Sequence, residues 1–183
     1  VKKEVSMMFD PSVDPYATPA ESTSTGEPPA RFGAKDVVDL TWVNLLNSYT
    51  CTECGRCSSS CPANQTGKKL SPRKIMMDTR DRLEEVGRNY RKHGVGHDDG
   101  KSLLGDYITE EEVWACTSCN ACVDSCPVNN NPLAVIVDLR RYLVMEQSQA
   151  PNELNIMFGN IENNGAPWAF PAADRFNWAS EED

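Results

Sequence analysis

The chain has 183 residues, of which 39% are hydrophobic, and a formal net charge of −9. This suffices for one medium domain with tails and is too acidic for a nucleic-acid binder. No apolar run approaches the ~18 residues that span a bilayer, and no secretory signal is visible. A chain opening on Val1 instead of Met reads as a segment of a longer protein. The stretch Lys68–Lys101 carries ten Lys/Arg against six Asp/Glu, a net +4 that leaves −13 for the remainder. Such an island is either a docking face or a solvated helix laced with i,i+4 ion pairs.

Residues 1–34 are expected to be a linker. DPSVDPYATPAESTSTGEPPARFG is rich in Pro, Ser, Thr and Gly, shows no periodic apolar pattern, and cannot bury enough surface to offset its ordering entropy. Thr41 then stands as the N-cap of a short helix ending near Tyr49, with Trp42, Leu45, Leu46 and Tyr49 on one face. This helix delivers the chain into CTECGRCSSSCP, which holds Cys51, Cys54, Cys57 and Cys61, followed by Pro62.

After the polar stretch ANQTGKKL, Ser71 caps a long helix with Pro72 at its first position, where a missing N–H costs nothing. Ile75, Met76, Thr79, Leu83, Val86 and Tyr90 form the expected buried stripe; Lys74, Arg80, Arg82, Arg88 and Arg91 fall mostly elsewhere. Residues 93–105 contain four glycines and read as a flexible loop carrying two surface histidines, His93 and His97. Thr109 and Glu112 form a capping box that starts a short helix ending at Trp114. The second cysteine run follows, CTSCNACVDSCP, with Cys116, Cys119, Cys122, Cys126 and then Pro127. Asn131 and Pro132 open a helix to about Gln147, with Val135, Ile136, Leu139, Tyr142 and Leu143 as its apolar face. A further helix runs from about Pro151 to Asn163, aligns Leu154, Met157, Phe158 and Ile161, and stops at Asn164–Gly165. The tail, with Trp168 and Trp178, is expected to lie over the surface. No stretch alternates as a strand does, so the fold class is all-α. The expected division is a linker over 1–34, a cysteine-bearing domain over 35–165, and a C-terminal extension over 166–183.

Both cysteine runs are C-x2-C-x2-C-x3-C-P, the spacing of bacterial-type iron–sulfur ligation, and together they use all eight cysteines. YTCTECGRCSSSCPAN and WACTSCNACVDSCPVN align without a gap, which implies a pseudo-twofold repeat with two [4Fe-4S] clusters near its centre. Three closely spaced thiolates wrap three corners of a cubane, and in two-cluster ferredoxins the fourth cysteine of each run serves the other cluster. The expected ligand sets are therefore Cys51, Cys54, Cys57 and Cys126 for cluster one, and Cys116, Cys119, Cys122 and Cys61 for cluster two. Zinc knuckles, a disulfide framework, or one cubane with a three-iron cluster compete with this reading. Zinc prefers paired cysteines, disulfides need an oxidising compartment, and both runs fill all four positions. Thr52, Ser58, Thr117, Ser118, Asn120 and loop amides are candidate hydrogen-bond donors to sulfur, which tune the potentials. The sequence offers no defensible nucleophile–base pair, phosphate loop or catalytic carboxylate pair, so no catalytic residue is assigned. By itself this chain reads as an electron carrier, a part of an oxidoreductase.

The long insert between the runs and the helical setting resemble the α-helical ferredoxin domain of iron–sulfur subunits. CTECGRCSSSCPANQTGKKLSPRKIMMDTRDRL, WACTSCNACVDSCPV, VDLRRYLVMEQ and MFGNIENNGAPW resemble the middle part of membrane-bound proteins similar to the D-type heterodisulfide reductase polypeptide, over roughly residues 31–178. The resemblance implies an N-terminal membrane domain like the nitrate reductase gamma subunit and cysteine-rich CCG domains downstream, neither within this sequence. It implies a place at the cytoplasmic face of the inner membrane, reached through the parent chain, with Lys2 and Lys3 beside the last membrane helix. It also implies electron passage between a soluble donor, such as electron-transfer flavoprotein, and a quinone pool. The alternative is the iron–sulfur subunit of a flavin-dependent dehydrogenase of the glycolate or glycerol-3-phosphate type. A succinate-type subunit is disfavoured, because residues 1–50 contain no cysteine for a C-x4-C-x2-C site.

Overall fold

A computed structural model describes residues 31–180. The expected linker falls outside the described residues up to residue 30, but its last four residues are held by the fold. Arg31 pairs with Asp39 at 2.8 Å, and the Phe32 N–H donates to Glu146 Oε1 at 2.8 Å. The buried Ala34 donates its N–H to the Asp138 carbonyl at 3.0 Å. Gly33 makes this entry possible: its φ is +92°, and an added Cβ would lie 2.4 Å from the Tyr142 nitrogen.

The described chain forms two compact units, one ending at Glu146 and one beginning at Gln147. No residue of the helix Asn152–Asn164, which lies in the second unit, is buried.

In the first unit, Thr41 caps helix α1 (Trp42–Tyr49) by accepting from the Asn44 N–H. The first cysteine run holds the short helices α2 (Arg56–Ser59) and α3 (Pro62–Gln65). Ser71 caps the long helix α4 (Pro72–His93), with proline at its first position. The capping box of Thr109 and Glu112 starts α5 (Glu110–Trp114). The second run holds α6 (Ala121–Asp124), and Asn131 caps α7 (Pro132–Arg141), which widens into one π-helical turn over Tyr142–Glu146. Among the described residues the only β pairing is an isolated bridge between Leu104 and Ile108. The fold is all-α. Helix α4 packs on α1 and α7, α7 packs on α5 and α6, and α2 of one cysteine loop lies against α6 of the other. The core is built from Val37, Leu70, Ile75, Leu103, Ile108, Val113, Val135, Ile136 and Leu139.

Of the apolar face of α1, Trp42, Leu46 and Tyr49 are exposed and Leu45 packs against the core, while Asn44 and Ser48 are buried. Polar pairing sets the rotation of this helix, because Asn44 Nδ2 donates to Asp138 Oδ2 of α7 at 3.0 Å. Arg82 belongs to the core, not to a basic face. It is 3% exposed and donates to Asp36, Asp99 and the Lys101 carbonyl. Those contacts also anchor the loop after α4, since Asp36 accepts from the Leu103 N–H at 3.0 Å and Leu103 is fully buried. The basic stretch is largely neutralised within the fold: Lys74 pairs with Asp78 and Glu112, Arg80 with Glu53, and Arg88 with Glu84. His93 and His97 are exposed and stack on each other with ring centroids 4.4 Å apart.

The second unit consists of α8 (Asn152–Asn164), a 3-10 turn over Ala172–Phe176, and α9 (Asn177–Ser180). Gly165 closes α8 in the left-handed conformation at φ +62°, as Asn164–Gly165 led us to expect. Phe158 and Ile161 are exposed. The Arg175 guanidinium donates to the Asn164 carbonyl.

Candidate metal centres

Each cysteine loop is shaped by two left-handed residues in matched places. Glu53 (φ 57°) and Gly55 (φ 80°) flank Cys54; Ser118 (φ 56°) and Asn120 (φ 63°) flank Cys119. This alternation turns successive backbone N–H groups towards the thiols, the arrangement of an anion-binding nest. The Arg56 N–H, with the Thr52 side chain, holds the Cys54 thiol below its ordinary range. The Ala121 N–H and the Thr117 side chain do the same for Cys119. Both of these thiols are exposed. The third cysteine of each run is affected in the opposite direction. Burial pushes the Cys57 thiol up, and pushes Cys122 up to about 11. The thiols of Cys116, Cys57 and Cys61 add to the effect at Cys122.

Cys51, Cys54 and Cys57 line one cavity together with Cys126 and Cys122 of the other run, and Met76, Val128 and Pro132 supply apolar wall. Cys126 is set against the first loop by the buried Asn130. The Asn130 N–H donates to Cys126 Sγ at 3.3 Å, and its Oδ1 accepts from Thr50 Oγ1 at 2.8 Å, one residue before Cys51. In the second loop the Ser118 N–H donates to Cys116 Sγ at 3.4 Å. Of the expected sulfur donors, Thr52, Thr117 and Ser58 act through their side chains and Ser118 through its backbone. Asn120 contributes its left-handed conformation.

These residues fit an iron–sulfur cluster. Thiolates are its usual ligands. Asn130 Nδ2, bordering the cavity, is buried with no partner among the described residues, a donor placed where sulfur would accept. Among the described residues no three His, Cys, Asp or Glu side chains converge for a single metal ion. Five thiols spread round a cavity suit a larger group than a tetrahedral zinc with sulfurs at about 2.3 Å. A bound [4Fe-4S] cluster supplies one-electron exchange. The chain supplies the amides, the apolar wall and the charges around it.

Sequence reading overlooked Arg140. Its guanidinium lies 5.1 Å from the Trp114 ring centroid and donates to the carbonyls of Val113 and Cys116 and to Ser118 Oγ. Burial lowers its affinity for its proton. The signal was present in the sequence, because SPRKIMMDTR and NPLAVIVDLR align from their capping residues and place Arg140 opposite Arg80.

Comparison with known proteins agrees with this chemistry. Residues 50–130 match the family described as 4Fe-4S dicluster domain. The "Probable iron-sulfur-binding oxidoreductase FadF" of Bacillus subtilis is 37% identical, over 86% of this chain and 26% of that protein. The "EtfAB:quinone oxidoreductase" of Syntrophomonas wolfei is 32% identical, over 82% of this chain and 24% of that protein. The "Probable membrane-anchored ferredoxin" of Chromohalobacter salexigens is 31% identical, over 84% and 25%. C-type and D-type heterodisulfide reductase polypeptides from Methanosarcina species match at lower identity. The chain spans about a quarter of the length of the first three. The chain carries a 4Fe-4S dicluster domain over residues 50–130, with eight cysteines for two [4Fe-4S] clusters, and its relatives include FadF-like oxidoreductases and heterodisulfide reductases.

Proposed function

We propose that this chain is the electron relay of a larger membrane-associated oxidoreductase, passing electrons between a soluble flavoprotein and a quinone pool through two crossed clusters. One observation carries the reading: Cys126 of the second run sits on the wall of the cavity formed by Cys51, Cys54 and Cys57 of the first. Crossed ligation brings both clusters into one small helical body, close enough for rapid exchange of single electrons. Cys51, Cys54, Cys57 and Cys126 hold one cluster; Cys116, Cys119, Cys122 and Cys61 hold the other. The flavoprotein donor is electron-transfer flavoprotein, a choice supported by the similarity to a protein named EtfAB:quinone oxidoreductase. No helix among the described residues is long and apolar enough to cross a membrane. In this reading membrane attachment belongs to the parent chain, at the cytoplasmic face.

The test uses the anaerobically prepared, iron-loaded chain. Mixed with reduced electron-transfer flavoprotein, its visible cluster absorbance bleaches as the flavin reoxidises, and a soluble quinone analogue restores it in the full parent protein. A fully loaded chain that dithionite reduces but the reduced flavoprotein does not would overturn the choice of donor.

A further inference from the structure

The two cysteine loops are matched in backbone and differ in charge at three positions: Glu53, Arg56 and Ser59 of the first stand opposite Ser118, Ala121 and Asp124 of the second. Counting from the proline that opens each exit helix, Arg80 of α4 and Arg140 of α7 occupy the same position. Counting from the first cysteine of each run, Glu53 and Ser118 occupy the same position, at φ 57° and 56°. Each arginine reaches its own counterpart. Arg80 Nη1 lies 2.7 Å from Glu53 Oε1, and Arg140 Nη1 donates to Ser118 Oγ at 3.3 Å. The first arginine is therefore neutralised by carboxylates, Glu53 and, at 3.5 Å, Asp81. The second meets a neutral hydroxyl and two carbonyls, one of them that of the ligand-bearing Cys116. No carboxylate among the described residues pairs with it.

We infer that Arg140 is a potential-setting residue: its uncompensated charge raises the reduction potential of the cluster held by the second loop, while Glu53 cancels the equivalent effect of Arg80 at the first. This inference rests on the two-cluster reading above. A reduced cluster carries one more negative charge than an oxidised one, so a nearby fixed cation favours the reduced form. Arg140 is half-buried and held by three acceptors, so salt screens it less than a surface charge. With an effective dielectric constant of about 20, one such charge biases an electron by about tenfold. That is ~59 mV for a one-electron couple. Arg56 and Arg73 are exposed on the first-loop side, and Asn130 borders the cavity there. They add a constant background that the variants below leave in place. Taken alone, this exchange draws an electron shared between the clusters towards the second loop; Arg56 and Arg73 on the first side and Asp124 on the second act against it.

The experiment is an anaerobic redox titration of the holo-chain followed by electron paramagnetic resonance, with iron and sulfide counted in every sample. Arg140→Gln is expected to lower one midpoint by about 59 mV, a tenfold change for one electron, and to leave the other in place. Should Arg140→Gln lose a cluster, two milder variants decide. Ser118→Glu copies the first loop at a backbone angle Glu53 already adopts, and should lower the same midpoint. Glu53→Gln should remove the nearer of the two carboxylates on Arg80, leaving Asp81 at 3.5 Å, and raise the other midpoint. Full iron and sulfide with both midpoints unmoved in Ser118→Glu and Glu53→Gln would overturn the inference and leave the two-cluster reading intact. Anaerobically reconstituted wild-type protein that folds but takes up no iron and sulfide would overturn the reading itself.

Discussion

Arg82 donates to both carboxylate oxygens of Asp99, at 2.7 and 2.9 Å, across the loop that separates the two cysteine runs. With Asp36 on its other side, the guanidinium ties three segments together from a position 3% exposed. Removing one partner of a buried ion pair strands the others, at a cost of about 3–5 kcal/mol. Arg82→Ala should therefore lower holo-protein stability by about that much in urea titration. Arg82→Lys should recover only part of it, because one ammonium cannot make both forked contacts. A loss below about 1 kcal/mol for Arg82→Ala would show that the network is dispensable.

The same network sets an acid limit. The hydrogen bonds from Arg82 hold the Asp99 carboxyl well below its ordinary 3.8. A depressed carboxylate contributes stability that is fully present above its unfolded pKa and is lost as pH falls through its folded one. The Asp99 contribution should thus persist at pH 4 and above, and disappear only in stronger acid. Asp99→Asn should flatten that acid limb of the stability–pH curve, measured by urea unfolding of holo-protein at constant ionic strength.

Gly33 gives a sharper test of where the fold begins. An alanine Cβ would meet the Tyr142 nitrogen at 2.4 Å and the Asp138 carbonyl oxygen at 2.5 Å, both backbone atoms of α7 and its π turn. Backbone cannot yield as a flexible side chain can, and the left-handed φ adds its own penalty. Gly33→Ala should cost about 2–3 kcal/mol and lower the melting temperature of the holo-chain, whereas Gly67→Ala, with open space around it, should cost about 1 kcal/mol. Equal losses at the two positions would mean that the entry strand is not fixed against α7.

What could be read from sequence divides along physical lines. Capping chemistry is local, so Thr41, Ser71, Asn131 and the Thr109–Glu112 box all stand where their types and spacing place them. The apolar face of α7 was legible because its stripe is unbroken and buried. The buried side of helix α1 was not legible, because the side of a helix that turns inward depends on its partner. Asp138, 94 positions away, satisfies Asn44. Arg82 was misread for the same reason, since charge alone does not reveal that two carboxylates wait at Asp36 and Asp99. The cysteines were legible as a set from spacing, but Asn130, which seats Cys126 against the first loop, has no motif of its own.

That seating leads to the test of the crossed ligands. If Cys126 completes the cluster of the first loop, Cys126→Ser should abolish the same resonance signal as Cys54→Ser. Cys61→Ser should abolish the signal that Cys119→Ser removes. Iron per chain should fall from about eight towards four in each single variant, because one cubane holds four irons and its loss leaves the other in place. Asn130→Leu supplies an independent arm: it removes the hydrogen bond to Thr50 while leaving the Asn130 backbone N–H on Cys126 Sγ. Loss of that link should weaken the first-loop signal, measured as faster iron release to a chelator, and should spare the second. Pairing of Cys126→Ser with Cys119→Ser instead would show that each run closes its own cluster, and the closeness of Cys126 to Cys51, Cys54 and Cys57 would then be packing alone.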